Sequence, residues 1–146
     1  MNIKELKKLV SDMSLEEKAL QLTQYPVYEL DEKTEAVVTG LCDLGGIDRE
    51  VLWRTGTILN APNGETAQSI RKTRRGKGIA DPFPFMLDVI HGYRTIYPVP
   101  LAMACTFNTA LIEDCAELAA TEASCDGVDV TFSPMVDLGR DARWGR

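Results

Sequence analysis

Three short apolar runs, separated by helical patterns, limit the fold more than any other feature of this chain. Thr55-Gly56-Thr57-Ile58-Leu59-Asn60 is β-branched and apolar, and Ala61-Pro62-Asn63-Gly64 breaks it. A helical stretch then runs from about Glu65 to Arg75, and Phe83-Pro84-Phe85-Met86-Leu87-Asp88-Val89-Ile90 reads as a second buried strand with Pro84 near its start. Asn108 is a candidate N-cap for a long helix carrying Leu111, Ile112, Cys115, Leu118, Ala119 and Ala123, which Asp126-Gly127 ends. Val128-Asp129-Val130-Thr131-Phe132-Ser133-Pro134 follows as a third strand. Strands that are apolar throughout and alternate with helices predict an α/β fold with a parallel sheet, because only helices on both faces bury such strands. Functional groups then belong at the strands' C-terminal ends, where Asp88 and the segment 137–146 fall.

Ahead of this pattern, Ile3, Leu6, Leu9, Val10 and Met13 lie at helical spacing, and Ser14-Leu15-Glu16-Glu17 reads as a capping box opening a second helix through Leu22. The glycines of Gly40-Leu41-Cys42-Asp43-Leu44-Gly45-Gly46 lack the spacing of a phosphate-binding loop and read as loop residues. The 146 residues, 45% hydrophobic and 26% charged, suit one globular domain. A net charge of −6 argues against nucleic acid or an anionic membrane as partner and favours a neutral small molecule. The opening residues are charged and helix-periodic, with no run of signal-peptide length, so a cytoplasmic protein, or one whose export signal has been removed, is expected. Cys42, Cys105, Cys115 and Cys125 form no CxxC pair and His91 is the only histidine, so reduced thiols are expected and a zinc site has too few suitably spaced ligands.

Asp88 stands between apolar sequence and Gly92, where a carboxylate can accept hydrogen bonds from the vicinal hydroxyls of a sugar. It can equally cap a turn or pair with Arg94. The run from Asp137 to Arg146 packs three arginines and two aspartates around Trp144, which suits either sugar contact or an ion-pair network between loops. Arg71, Lys72, Arg74, Arg75 and Lys77 are five basic residues in seven, and they read as a solvated helix end closed by Gly76. His91 reads as a structural group.

Taken together, Met13-Ser14-Leu15-Glu16-Glu17-Lys18, Gly56-Thr57-Ile58-Leu59-Asn60, the stretch from Leu87-Asp88-Val89-Ile90-His91-Gly92-Tyr93-Arg94-Thr95 to Pro100, and Phe132-Ser133-Pro134-Met135-Val136-Asp137 with Arg140-Asp141-Ala142-Arg143-Trp144-Gly145-Arg146 resemble the N-terminal domain of family 3 glycoside hydrolases. The resemblance covers nearly the whole chain. It implies that residues 1–146 are the N-terminal portion of a TIM-like (β/α)8 barrel, incomplete at three strands where a closed barrel takes about 250 residues.

The resemblance further implies a parent enzyme that removes terminal β-linked glucose or related sugars with retention, Asp88 and Arg146 lining the sugar subsite. Arg140, Asp141 and Arg143 would support the loop. The family's Lys-His motif, aspartate nucleophile and glutamate acid/base have no counterpart here, and a retaining glycosidase needs two carboxyls about 5 Å apart; because that mechanism uses only carboxylates and water, the resemblance implies no metal or organic cofactor. The expected partners are therefore a β-glucoside or oligosaccharide and, through exposed barrel edges, other copies of the chain; the isolated chain is expected to be inactive. A non-catalytic carbohydrate-binding or structural fragment that complements a separate remainder is the alternative.

Overall fold

The computed structural model describes residues 2–27, 30, 48–60, 63–79 and 83–144. The elements follow in the order α1 (Ile3–Asp12), α2 (Leu15–Gln21), β1 (Gln24–Pro26), α3 (Arg49–Trp53), β2 (Thr57–Leu59), α4 (Gly64–Gly76), β3 (Phe85–Leu87), α5 (Pro100–Ala104), α6 (Thr109–Cys125) and β4 (Val130–Thr131), with a 3-10 turn at Ala142–Trp144. One sheet has the strand order β1-β2-β3-β4. Both registered pairs are parallel, Tyr25 opposite Ile58 and Ile58 opposite Phe85. The expected α/β alternation is therefore present, with four strands rather than three among the described residues.

The additional strand, β1, ends on Pro26, which has no N–H for a ladder and is tolerated because β1 is an edge strand. The strands read from sequence are shorter than their apolar runs, since pairing partners rather than hydrophobicity set where a ladder stops. The run 40–46 with Cys42, and Arg146 at the far end, lie outside the described residues.

The chain divides into two compact units, Met1–Leu87 with Ser124–Val130, and Asp88–Ala123 with Thr131–Arg146. In the first, Val27, Leu30, Leu52, Ile58, Ala67, Ile70, Phe83 and Phe85 form the core, with Tyr25 and Trp53 packed on it. Ile58 and Phe85 sit opposite one another on adjacent strands and are both fully buried. Each such side chain removed from water contributes about 1.5–3 kcal/mol. Phe83 meets Phe85 edge to face, with ring centroids 5.6 Å apart.

Capping follows the sequence closely. Ser14 and Glu17 form the expected reciprocal box, Glu17 N–H donating to Ser14 Oγ at 3.1 Å and Ser14 N–H to Glu17 Oε2 at 2.7 Å. Asn63 caps α4 through Thr66 N–H, and Asn108 caps α6 through Leu111 N–H.

The far end of α4 differs from the sequence reading. Its left-handed residue is Gly78 (φ 73°), not Gly76, and the bonds Ile79 N–H to Arg74 O and Gly78 N–H to Arg75 O make a Schellman turn around it. The basic run is also less solvated than expected. Ala67, Ile70 and Arg74 form the buried stripe of α4, because positions three and four apart share a helix face. Arg74 is 1% exposed, lies 3.7 Å from the Phe83 ring centroid and donates from Nη1 to the Thr55 carbonyl at 2.9 Å. Lys77 pairs with Glu50 at 2.6 Å, and Arg71 stacks on Phe85 while pairing with Asp129. Arg71 thus fastens α4 to β3, Arg74 fastens it to Thr55 ahead of β2, and Lys77 fastens it to α3.

Candidate functional site

Asp88 is the residue immediately after β3, so a parallel strand delivers its exposed carboxylate at the strand's C-terminal end. Its backbone is held from the neighbouring strand, where Thr131 Oγ1 donates to the Asp88 carbonyl at 2.9 Å. That hydroxyl has one proton, so the 2.8 Å contact with Ser133 Oγ is made by the serine donating. Ser133 N–H donates to the same Thr131 oxygen at 3.2 Å. Thr131 thus joins the stretch after β4 to the residue after β3.

The segment leaving Asp88 turns sharply. Val89 has φ 46°, a left-handed value costly for a β-branched side chain, and Gly92 has φ 116°. A Cβ on Gly92 would lie 2.0 Å from the Thr95 carbonyl oxygen, so only glycine closes this loop as built. His91 ties the loop's ends together, Tyr97 N–H donating to the His91 carbonyl at 2.8 Å and His91 Nδ1 lying 2.9 Å from the Tyr97 carbonyl. This is the structural role read for His91 from its isolation in the sequence.

Glu122 of α6 accepts from Arg94 N–H at 3.0 Å, Thr95 N–H at 2.9 Å and the Thr95 hydroxyl at 2.7 Å. The Thr95 bonds, backbone first, hold the Glu122 carboxyl below its usual range. Burial raises the Tyr97 hydroxyl above its usual value, with Cys115 and Glu122 adding to the effect.

In the terminal run, Arg143 donates to both oxygens of Asp141, from Nε at 2.9 and 3.1 Å and from Nη2, and its backbone N–H adds a bond at 3.0 Å. The Arg143 side chain, followed by its backbone N–H, lowers the Asp141 carboxyl to about 2. Asp141 and Arg143 thus pair with each other inside the run rather than with another loop. Trp144 is half exposed, with its Cδ1 beside Gly139.

The structure therefore brings Asp88, Thr131 and Ser133 together. Thr131 and Ser133 carried no separable signal, being polar interruptions of an apolar run. Glu122 was hidden because its partners lie 27 and 28 residues away. Among the described residues no group of three His, Cys, Asp or Glu side chains could hold a metal, and no helix is long and apolar enough to cross a membrane.

The family model described as the glycosyl hydrolase family 3 N-terminal domain matches residues 14–146. A periplasmic β-glucosidase of Salmonella typhimurium is 45% identical over 65 residues, spanning 44% of this chain and 8% of that protein. An exo-1,4-β-xylosidase of Emericella nidulans is 38% identical over 60 residues, 37% of this chain and 8% of that protein. Among solved structures, a mutant β-glucosidase of Listeria innocua in complex with laminaribiose superposes with a TM-score of 0.85 at 36% identity, covering 100% of this chain and 21% of that one. The same organism's β-glucosidase with isofagomine gives 0.84 at 35% identity over 100% of this chain and 20% of that one. The chain spans about a fifth of the length of these solved relatives.

Proposed function

Because the chain belongs to glycoside hydrolase family 3, we propose that it builds part of the sugar subsite of a β-glucosidase that cleaves terminal β-linked glucosyl residues with retention. The observation carrying this reading is the exposed Asp88 carboxylate at the end of a parallel strand, its backbone anchored by Thr131. An ionised carboxylate accepts from two adjacent hydroxyls at once, so Asp88 would orient the terminal sugar while the nucleophile and the acid/base come from elsewhere in the whole enzyme. Arg146 is proposed to line the same subsite. On this reading residues 1–146 are the N-terminal portion of the family's barrel domain and, alone, do not turn over substrate.

Glucosides are the proposed substrates, in line with the laminaribiose bound by the Listeria relative; xylosides, as the Emericella relative's name suggests, are the competing class. We read the compartment as cytoplasmic, supported by the free thiols of Cys105, Cys115 and Cys125, with the periplasm of the Salmonella relative as the competing site that cell fractionation decides. Edge strands β1 and β4 are the proposed route of self-association, read by light scattering on the eluted chain.

The test is hydrolysis of a chromogenic β-glucoside by the purified chain, alone and with a polypeptide supplying the remaining barrel and the following domain. Activity only in the mixture, lost on Asp88→Asn, supports the reading. Turnover by the chain alone overturns it, and sugar binding without turnover in the mixture favours a non-catalytic carbohydrate-binding fragment.

A further inference from the structure

Glu122 meets its partners with its whole carboxylate. Oε2 accepts the consecutive backbone amides of Arg94 and Thr95, and Oε1 accepts the Thr95 hydroxyl. Consecutive amides converging on one carboxylate make an anion nest filled by the protein's own side chain. The residues so gripped belong to the loop that starts at Asp88. Between them lie the two left-handed positions, Val89 and Gly92, and the bridges Ile90–Gly92 and Gly92–Ile96 that fold the loop back on itself. At its origin the loop is tied by Thr131 to Asp88, and across its neck by the paired His91 and Tyr97 bonds.

We propose that Glu122 is a positioning residue, whose grip on Arg94 and Thr95 fixes the loop 88–97 and so holds the Asp88 carboxylate in place for a sugar. The proposal rests on the sugar-binding reading of Asp88. Glu122 stands on α6, a 17-residue helix capped at its start by Asn108, so the clamp is anchored to a regular element. A loop with two left-handed residues and no such anchor would sample other turns, and Asp88 would have to be ordered each time a sugar bound. The interaction is charge-assisted and bridges two amides and a hydroxyl, so neutralising the carboxylate weakens every bond in it.

The experiment compares the full chain with Glu122→Ala and Glu122→Gln by NMR, reading three quantities together. These are hydrogen exchange at the Arg94 and Thr95 amides, the carboxyl carbon resonance of Asp88, and the dissociation constant for methyl β-D-glucoside. In Glu122→Ala, exchange at the two amides is expected to rise at least tenfold while protection at Ile58 and Phe85 stays unchanged. The Asp88 resonance should move, and sugar binding should weaken at least fivefold. Glu122→Gln keeps one acceptor oxygen and should fall between the two, a partial rescue that loss of general stability would not produce.

Unchanged exchange at Arg94 and Thr95 overturns the clamp. Faster exchange with an unmoved Asp88 resonance overturns the positioning role. If the unmodified chain binds no sugar even when mixed with the polypeptide supplying the remaining barrel and the following domain, the reading of Asp88 as a sugar ligand fails by itself, and exchange with the Asp88 resonance still decides the role of Glu122. Should Glu122→Ala lose protection at Ile58 and Phe85, Glu122→Gln decides by the same readings.

Discussion

The side chain of Asp129 accepts the backbone N–H of Phe85 at 2.8 Å while the Asp129 backbone N–H donates to the Phe85 carbonyl at 2.9 Å, so one residue closes both hydrogen bonds of a strand position. Its carboxylate Oδ2 also receives Arg71 Nη2 from α4. In the sequence Asp129 is a polar position inside the run read as a strand; in the fold it joins the start of β3 to a helix and to the approach of β4.

Asp129→Ala leaves the Phe85 N–H without its acceptor and Arg71 without this carboxylate. The loss is expected to be about 1–2 kcal/mol, the lower part of the range for charge-assisted bonds because the carboxylate is partly exposed. Urea unfolding followed by circular dichroism measures it. Asp129→Asn, which retains an acceptor for Phe85, should lose less than Asp129→Ala.

Arg74 is a buried cation of the first unit. Arg74→Ala removes its stacking on Phe83 and its bond to Thr55, and empties a packed position, for an expected loss of about 3 kcal/mol. Arg74→Met restores most of the volume, so a urea midpoint nearer the parent's than that of Arg74→Ala would show that packing dominates, whereas equal losses would assign the effect to the polar and cation–π contacts.

Gly92→Ala forces a side chain into a left-handed position and against the Thr95 carbonyl. The loop must open, which should abolish weak binding of methyl β-D-glucoside while the thermal midpoint falls only modestly, since the loop lies outside the core of the first unit. Titration by NMR and a melt on the same sample give both numbers. An unchanged affinity would detach this loop from sugar binding.

Asp141 supplies a pH signature. Its folded-state value is depressed from 3.8 to about 2, so the bond to Arg143 is complete above about pH 4 and is lost as the pH falls towards 2. The Asp141 carboxyl carbon should titrate with a midpoint near 2, and Arg143→Gln should return it towards the ordinary aspartate value. A midpoint already ordinary in the parent chain would mean that the pair does not persist in solution.

Elements that rest on local chemistry were legible from sequence. Ser14 with Glu17, and Asn108, act within three or four residues of themselves, so their caps follow from order alone, whereas Asn63, read only as part of a break, turns out to cap α4. The apolar runs around Ile58 and Phe85 announce a buried parallel sheet because strands covered on both faces have no polar side. The position of Asp88 after such a run was readable for the same reason.

What the linear order could not carry are relationships set by closure of the chain. β1 exists because Gln24, Tyr25 and Pro26 find Thr57, Ile58 and Leu59 beside them, not because those three residues favour a strand. Arg74 is buried rather than solvated because the turn of α4 points it at Thr55 and Phe83. Glu122 and Asp129 are loop and strand clamps only because amides many residues distant arrive at their carboxylates. Sequence by itself determined the alternation of strands and helices and the placing of a carboxylate at a strand end, since both depend on neighbours in the chain. Which carboxylates grip backbone, which cations are buried and how the Asp88 loop is held were decided by tertiary structure, because a hydrogen bond requires its partners within about 3 Å in space, whatever their separation in sequence.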